Sequence, residues 1–162
     1  MSDSNPVPNR REFLTIAAVG AAALPAVSTT AQAADAKPVI RHSVMGWCIK
    51  MDKPELAKHC KAMGMVAIEG IGREHYPAVT NIGLQISLIG SHGFKKGPTD
   101  AANKQMVIDK LRDGIDAAVK WKSKRVITFT GMTVDGLSRK QQDANCIEAW
   151  KSVIDYAEEK NI

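Results

Sequence analysis

The sequence predicts an α/β fold: a partial (β/α)8 TIM barrel made of about the first four β/α units. Four strand-then-helix units follow one another between residues 39 and 162. This alternation predicts a parallel sheet covered by helices, and the closed form of such a sheet has eight strands. A complete barrel typically needs about 250 residues, whereas this chain has 162. We therefore expect the N-terminal half of a barrel.

Residues 1–33 are predicted to be a twin-arginine export signal rather than part of the fold. Arg10 and Arg11 precede an alanine-rich apolar run at residues 16–27. A charged region followed by an apolar region is typical of an export signal, and paired arginines direct it to the twin-arginine route. The apolar run is too short and too weakly apolar to span a bilayer comfortably.

A cleavage pattern of small residues, with Ala31 and Ala33 at its two ends, completes the signal. The twin-arginine translocation machinery is therefore an expected partner, and a periplasmic or secreted location is expected. Cleavage and retention of the signal both remain open. Residues 34–38 are predicted to be a short linker, and residues 39–162 the half barrel.

The charge and the cysteines exclude some functions. The net charge is +5, but the lysines are scattered through the predicted helices. A nucleic-acid groove would show clustered charge interleaved with aromatic residues, so no nucleic acid is expected. Cys48, Cys60 and Cys146 match no disulfide framework or zinc motif. Cys60 and Cys146 fall on predicted helices, where they are expected to pack as small apolar groups.

The first unit is predicted from a strand at residues 39–47 and a helix that Asp52 caps. Glu55, three residues after Asp52, gives a capping-box pattern, and Gly64 marks the end of the helix. The second strand is predicted at residues 65–69. If Glu69 points into the barrel, alternation places Ala67 and Met65 inward and turns Val66 and Ile68 towards the helices.

The later units follow the same order. A weak helix limited by Pro77 is expected within residues 73–82, and a third strand at residues 84–89 leads into a glycine-rich loop. The third helix, fourth strand and fourth helix are predicted at residues 101–122, 125–130 and 138–160.

Candidate site residues are those at the carboxyl ends of the strands, where parallel β/α barrels build their sites. Glu69 closes an apolar strand, and a carboxylate there can accept a polyol hydroxyl or move a proton. The alternative is that Glu69 bonds backbone donors of the next loop. His92 lies between glycines and can orient a substrate hydroxyl or cap a carbonyl. Trp47 is either an apolar wall for a ligand or a core residue.

The other candidates are weaker. No histidine and carboxylate cluster has metal-ligand spacing, and no phosphate loop or nucleophile elbow is present. No metal ligand and no catalytic residue is therefore assigned. Trp121 and Trp150 fall on predicted helices and are expected to be core residues or to make helix–sheet contacts. His42, His59 and His75 lie within a strand, a helix and a connecting segment and are not favoured.

Three segments resemble the xylose-isomerase-like sugar isomerase and epimerase barrels. The segment KAMGMVAIE at residues 61–69 resembles their passage into the second strand, and RVITFTG at residues 125–131 resembles their fourth strand. SHG at residues 91–93 with KGPTDAAN at residues 96–103 resembles the loop after the third strand in hydroxypyruvate isomerase-like members.

The resemblance implies isomerisation of a small hydroxy-carbonyl compound or sugar, assisted by a divalent metal such as Mg²⁺ or Mn²⁺. In the family, the metal ligands and the two glutamates that move the proton lie on strands five to eight. The resemblance therefore assigns Glu69, His92 and Trp47 as substrate-binding residues only. It implies that this chain alone binds no metal and is inactive. A half barrel also leaves two strand edges open, which favours self-association.

Alternatives remain open. One is a periplasmic sugar or keto-sugar epimerase or lyase on the same fold, because hydroxypyruvate is normally cytoplasmic. Another is a non-catalytic, sugar-binding degenerate barrel. A metal-dependent abasic-site endonuclease is disfavoured by the export signal and by the lack of a basic groove.

Overall fold

The computed structural model of the protein describes residues 40–162. The predicted export signal, the whole linker and Val39 lie outside the described residues. Three strands form, and they are shorter than the predicted ones: β1 (Ser43–Met45), β2 (Ala67–Glu69) and β3 (Gln85–Ile86). The described residues also form four α-helices: α1 (Lys53–Ala62) follows β1, α2 (Tyr76–Asn81) follows β2, and α3 (Lys104–Lys120) and α4 (Arg139–Glu159) both follow β3. No helix among the described residues is long and apolar enough to cross a membrane.

The strands form a parallel sheet in the order β1-β2-β3, as the alternation predicts. Ile68 lies in the middle strand of the sheet and pairs with Val44 on one side and Ile86 on the other. The predicted fourth strand is reduced to one parallel bridge between Ile89 and Val126. It nevertheless follows β3 in space, so the described part of the chain curves through four consecutive strand positions.

The third strand is short because the alternation of its side chains between the two faces of the sheet shifts by one residue. Leu84, Ile86 and Ile89 all belong to the core on the helix side of the sheet, whereas strict alternation would place Leu88 there. An extra residue between Ile86 and Ile89 interrupts the ladder, as in a β-bulge. Ile89 then resumes pairing, because its N–H donates to the Arg125 carbonyl at 2.9 Å.

The helices begin where the sequence predicts them to begin. The Asp52 carboxylate caps α1 by accepting the Glu55 N–H at 3.2 Å, and Gly64 follows the helix at φ +77°, a conformation that favours glycine. Ser138 and Gln141 form a complete capping box at the start of α4. Pro77 lies in the first turn of α2, where the missing N–H of proline is tolerated.

The main core lies between the sheet and helices α1, α2 and α3. Tyr76 of α2 is 2% exposed and meets Trp121, just after α3, edge-on at a centroid distance of 5.5 Å. A second apolar cluster joins α3 to α4 and includes Trp150 at its margin. Cys60 and Cys146 are buried as free thiols. The buried positions predicted for these two cysteines are confirmed, whereas Trp121 and Trp150 are partly buried and pack against the margins of the two clusters.

Candidate active site at the carboxyl ends of the strands

Glu69, at the carboxyl end of β2, is held by serine hydroxyls from both neighbouring strands. The Ser87 hydroxyl donates to Oε2 at 2.8 Å, and the Ser43 hydroxyl donates to Oε1 at 3.3 Å. The register that pairs Ile68 with Ile86 brings Ser87 next to Glu69 on the same face of the sheet. Because Ile68 is fully buried on the helix side, the Glu69 carboxylate faces away from that core, towards the open inner face.

Neither serine is predicted from the sequence. Ser43, Ser87 and Glu69 all have odd residue numbers, but this places their side chains on one face of the sheet only when the register between the strands is known. The inward position expected for Met65 is wrong. Met65 packs against the helix-side core, since β2 begins only at Ala67 and the Met65 N–H still bonds the Cys60 carbonyl behind α1. The helix-side position of Ile68 is confirmed.

Trp47 stands in the 3-10 turn after β1 and is 71% exposed. The core position weighed for this residue is therefore wrong. Its indole packs over the backbone of Gly70, where a β-carbon would clash with the ring. Gly70 directly follows Glu69 and has a φ of +64°. The structure thus places an exposed aromatic surface against the residue that directly follows Glu69.

His92 follows the third strand and is 6% exposed. Its Nε2 lies 2.9 Å from the Thr128 hydroxyl, and its Nδ1 lies 3.2 Å from the Gly93 carbonyl. Trp150 Nε1 donates to the same Thr128 oxygen at 3.0 Å. A consistent assignment is that Thr128 accepts from Trp150 and donates to Nε2, while Nδ1–H donates to Gly93. Either ring nitrogen would have to give up a protein partner to reach a ligand.

The loop after the third strand is fastened to the end of the fourth. The Thr99 N–H donates to the Thr130 carbonyl at 3.0 Å, and the Thr99 hydroxyl donates to the Met132 carbonyl at 2.8 Å. The backbones of Gly97 and Gly131 touch so closely that a β-carbon on either would clash. This close approach joins two parts of the protein backbone.

The described residues do not by themselves fit the divalent metal that the resemblance implies. Within residues 40–162, no three side chains of His, Cys, Asp or Glu are grouped closely enough to hold an ion. Glu69 has serine partners rather than a second carboxylate. His59 and His75 lie near Glu55 and Glu74, at 3.9 and 3.4 Å, on the outside of the helical layer.

Comparison with known proteins gives matches only among solved structures. No protein-family model matches the chain, and no curated protein sequence matches it. The structure of a D-psicose 3-epimerase determined with D-fructose matches with a TM-score of 0.56 at 12% identity, over 76% of this chain and 50% of that one. A 3-keto-D-glucoside 4-epimerase from E. coli matches with a TM-score of 0.56 at 11% identity, over 74% of this chain and 52% of that one.

A third match is a sugar phosphate isomerase/epimerase from Parabacteroides distasonis, with a TM-score of 0.58 at 12% identity. It covers 86% of this chain and 54% of that one. The chain thus spans about half the length of the solved structures it resembles. At these identities the likeness concerns the fold, and it confirms the predicted partial TIM barrel.

Proposed function

We propose that the chain provides the substrate-contacting N-terminal half of a sugar or hydroxy-carbonyl isomerase or epimerase. The observation that carries the proposal is the Glu69 carboxylate, set at the carboxyl end of β2 between the Ser43 and Ser87 hydroxyls. The names of the three structural neighbours, an epimerase of D-psicose, one of a 3-keto-glucoside and a sugar phosphate isomerase/epimerase, favour the same class of reaction.

The Glu69 cluster suits a polyol for a specific chemical reason. Each carboxylate oxygen has more than one acceptor position, so Glu69 can accept a substrate hydroxyl while keeping a serine partner. The serine hydroxyls rotate freely and can redirect their protons to a substrate oxygen. Trp47 offers an exposed, flat apolar surface over Gly70, the residue after Glu69, and the C–H face of a sugar ring can pack against it.

The finer parts of the proposal come from the sequence. They are hydroxypyruvate isomerase-like chemistry, export by the twin-arginine route and a divalent metal held by residues of a completed barrel. When bound, such a metal would polarise the carbonyl oxygen of the substrate. We assign no metal-dependent step to residues 40–162 and propose that the chain alone is inactive. Self-association through the open strand edges is part of the same proposal, and sedimentation velocity over a range of concentrations tests it.

A second candidate is a non-catalytic sugar-binding half barrel. It is favoured by the same cluster, because serine hydroxyls occupy both oxygens of Glu69 and residues 40–162 hold no group of three His, Cys, Asp or Glu side chains that could bind a metal ion. The two candidates share the binding site and differ in turnover. Epimerase or lyase action on a periplasmic keto-sugar remains an alternative within the first candidate.

The test is sugar binding by the full chain and by Glu69→Gln, followed through the fluorescence of the exposed Trp47. D-fructose, D-psicose and hydroxypyruvate are the probes. Replacing one carboxylate oxygen by an amide removes an acceptor, so we expect affinity for the two ketoses to fall about tenfold, which is close to the value of one charged hydrogen bond. Glu55→Gln, on the exposed side of α1, is the matched control and should bind like the parent chain.

Turnover of the same probes is measured with Mn²⁺ present. Turnover of any of them by the purified chain would contradict its proposed inactivity. Ketose affinity that is equal in the parent chain and in Glu69→Gln, with both folded by circular dichroism, would remove Glu69 from the site and the proposal with it.

A further inference from the structure

A recess lies between the loop after the third strand and α3. It is a cavity of about 480 Å³ whose loop wall includes Ser91, His92 and Phe94 and whose helix wall includes Met106. This volume falls within the range of roughly 300–1,000 Å³ that small-molecule sites occupy. The loop wall follows the carboxyl end of the third strand, and Glu69 lies at the carboxyl end of β2, so this recess and Glu69 lie at the same end of the sheet.

The charged residues that line this cavity are all positive. Lys95 and Lys96 of the loop and Lys110 of α3 line it, and no aspartate or glutamate does. None of the three lysines forms an ion pair with any of residues 40–162. A recess lined by charges of one sign concentrates the electrostatic field and attracts a counter-ion.

The carboxylates nearest to Lys110 along α3 are engaged elsewhere. Asp113 pairs with Arg73 at 3.0 Å, and Asp109 accepts the Gln105 side-chain amide at 2.8 Å. In the loop, Asp100 accepts the Ala102 N–H at 2.9 Å and so caps the turn that leads into α3. No carboxylate of the described residues therefore pairs with the three lysines, which leaves them free to bind an anion.

The cavity also has an apolar wall and a fastened frame. Phe94 is 59% exposed and stands across from Met106. The Ser91 hydroxyl donates to the Ile127 carbonyl, and the Asn103 side-chain amide donates to the Gly97 carbonyl at 3.3 Å, so the loop is anchored at both ends. An anchored loop loses little conformational freedom on binding, which favours affinity.

We propose that this cavity binds the anionic group, phosphate or carboxylate, of a small organic ligand. Lys95, Lys96 and Lys110 surround the negative charge, and Phe94 packs against the carbon skeleton. The site is distinct from the Glu69 cluster, although the buried His92 ring forms part of its wall. It does not depend on the proposed isomerase or epimerase activity.

The test is isothermal titration of the full chain with glucose 6-phosphate, gluconate, inorganic phosphate and glucose. We expect the phosphate ester to bind, neutral glucose to bind at least about tenfold more weakly, and added salt to weaken the anions only. The double variant Lys95→Gln/Lys110→Gln should lower the affinity for the anion about tenfold. Lys58→Gln, on the exposed face of α1, is the matched control and should leave it unchanged.

Comparison of the anionic ligands identifies the kind of anion that the cavity binds. Binding of gluconate as tight as that of glucose 6-phosphate supports a site for any anionic group, whereas binding of glucose 6-phosphate and inorganic phosphate alone supports a phosphate site. Equal affinity of the Glu69→Gln chain for glucose and glucose 6-phosphate, an unchanged anion affinity in the double variant, or no anion binding by the folded chain would each overturn the proposal. Glu69→Gln should keep its anion affinity, so this site and the proposed function can fail separately.

Discussion

Nε2 of His92 lies 2.9 Å from the hydroxyl of Thr128, and this contact joins the third strand position to the fourth. The same hydroxyl receives the indole N–H of Trp150 from α4 at 3.0 Å. A loop, a strand segment and a helix therefore meet at one oxygen atom. The imidazole is buried, whereas Thr128 itself is exposed, so the network runs from the interior to the surface.

Thr128→Val should destabilise the chain by about 0.5–1.5 kcal/mol, because the valine keeps the shape of the side chain but removes the hydroxyl from both contacts. Water can reach the Trp150 N–H, since the site is partly exposed, while the buried His92 nitrogen loses its partner. The measurement is the midpoint of urea unfolding, with the slope checked for change.

Thr130→Val is the matched control for this experiment. The Thr130 hydroxyl has only a long contact of 3.4 Å to the Gly131 carbonyl and is exposed. Its loss should change the free energy of unfolding by less than about 0.5 kcal/mol. Equal effects of the two substitutions would show that the Thr128 network does not stabilise the fold.

Gly97→Ala should destabilise the chain by about 1–3 kcal/mol, the usual cost of inserting a methyl group into a filled space. The new β-carbon would clash with the Thr130 carbonyl and with the Gly131 backbone, and neither group can move as freely as a side chain. Thermal unfolding followed by circular dichroism measures the change.

Gly93→Ala provides the control within the same loop. A β-carbon on Gly93 meets no atom within 4 Å, and its backbone lies outside the left-handed region. We expect no loss of stability there, since alanine also restricts the unfolded chain. Destabilisation of both variants to the same extent would refute the specific contact between the Gly97 and Thr130 backbones.

The sequence predicted those features that depend on local signals. The Asp52 cap and the Ser138 start of α4 follow from side chains that bond a backbone N–H within three residues. The order of strands and helices can likewise be predicted even when the end of each element is misplaced by a few residues. This order was enough to predict the partial barrel. The short helix after Arg73 was expected only as a weak one, yet Pro77 fits it by standing in the first turn.

The features that escaped the sequence analysis depend on contacts between distant residues. Ser87 becomes a partner of Glu69 only through the register of β2 with β3, and the slip between Ile86 and Ile89 leaves no mark in the pattern of apolar residues. The contact of Gly97 with Thr130 joins residues 33 positions apart. The structure packs Trp47 over Gly70, the residue that follows Glu69. His92 is hydrogen-bonded to Thr128 and lines the cavity between the loop after the third strand and α3.

Thiol labelling should separate the three cysteines into one fast and two slow groups. Cys48 is exposed, whereas Cys60 and Cys146 are 1% and 4% exposed. Burial raises the pKa of the Cys60 thiol, and burial together with the nearby Asp143 carboxylate raises the pKa of the Cys146 thiol. A raised pKa leaves a smaller fraction of each thiol as the reactive thiolate at a given pH.

At pH 8, Ellman's reagent should therefore titrate one thiol rapidly in the native chain and three in urea. Cys48→Ser should abolish the rapid phase and keep both slow ones, while a rapid phase that survives this substitution would mean that a helix carrying a buried cysteine opens readily.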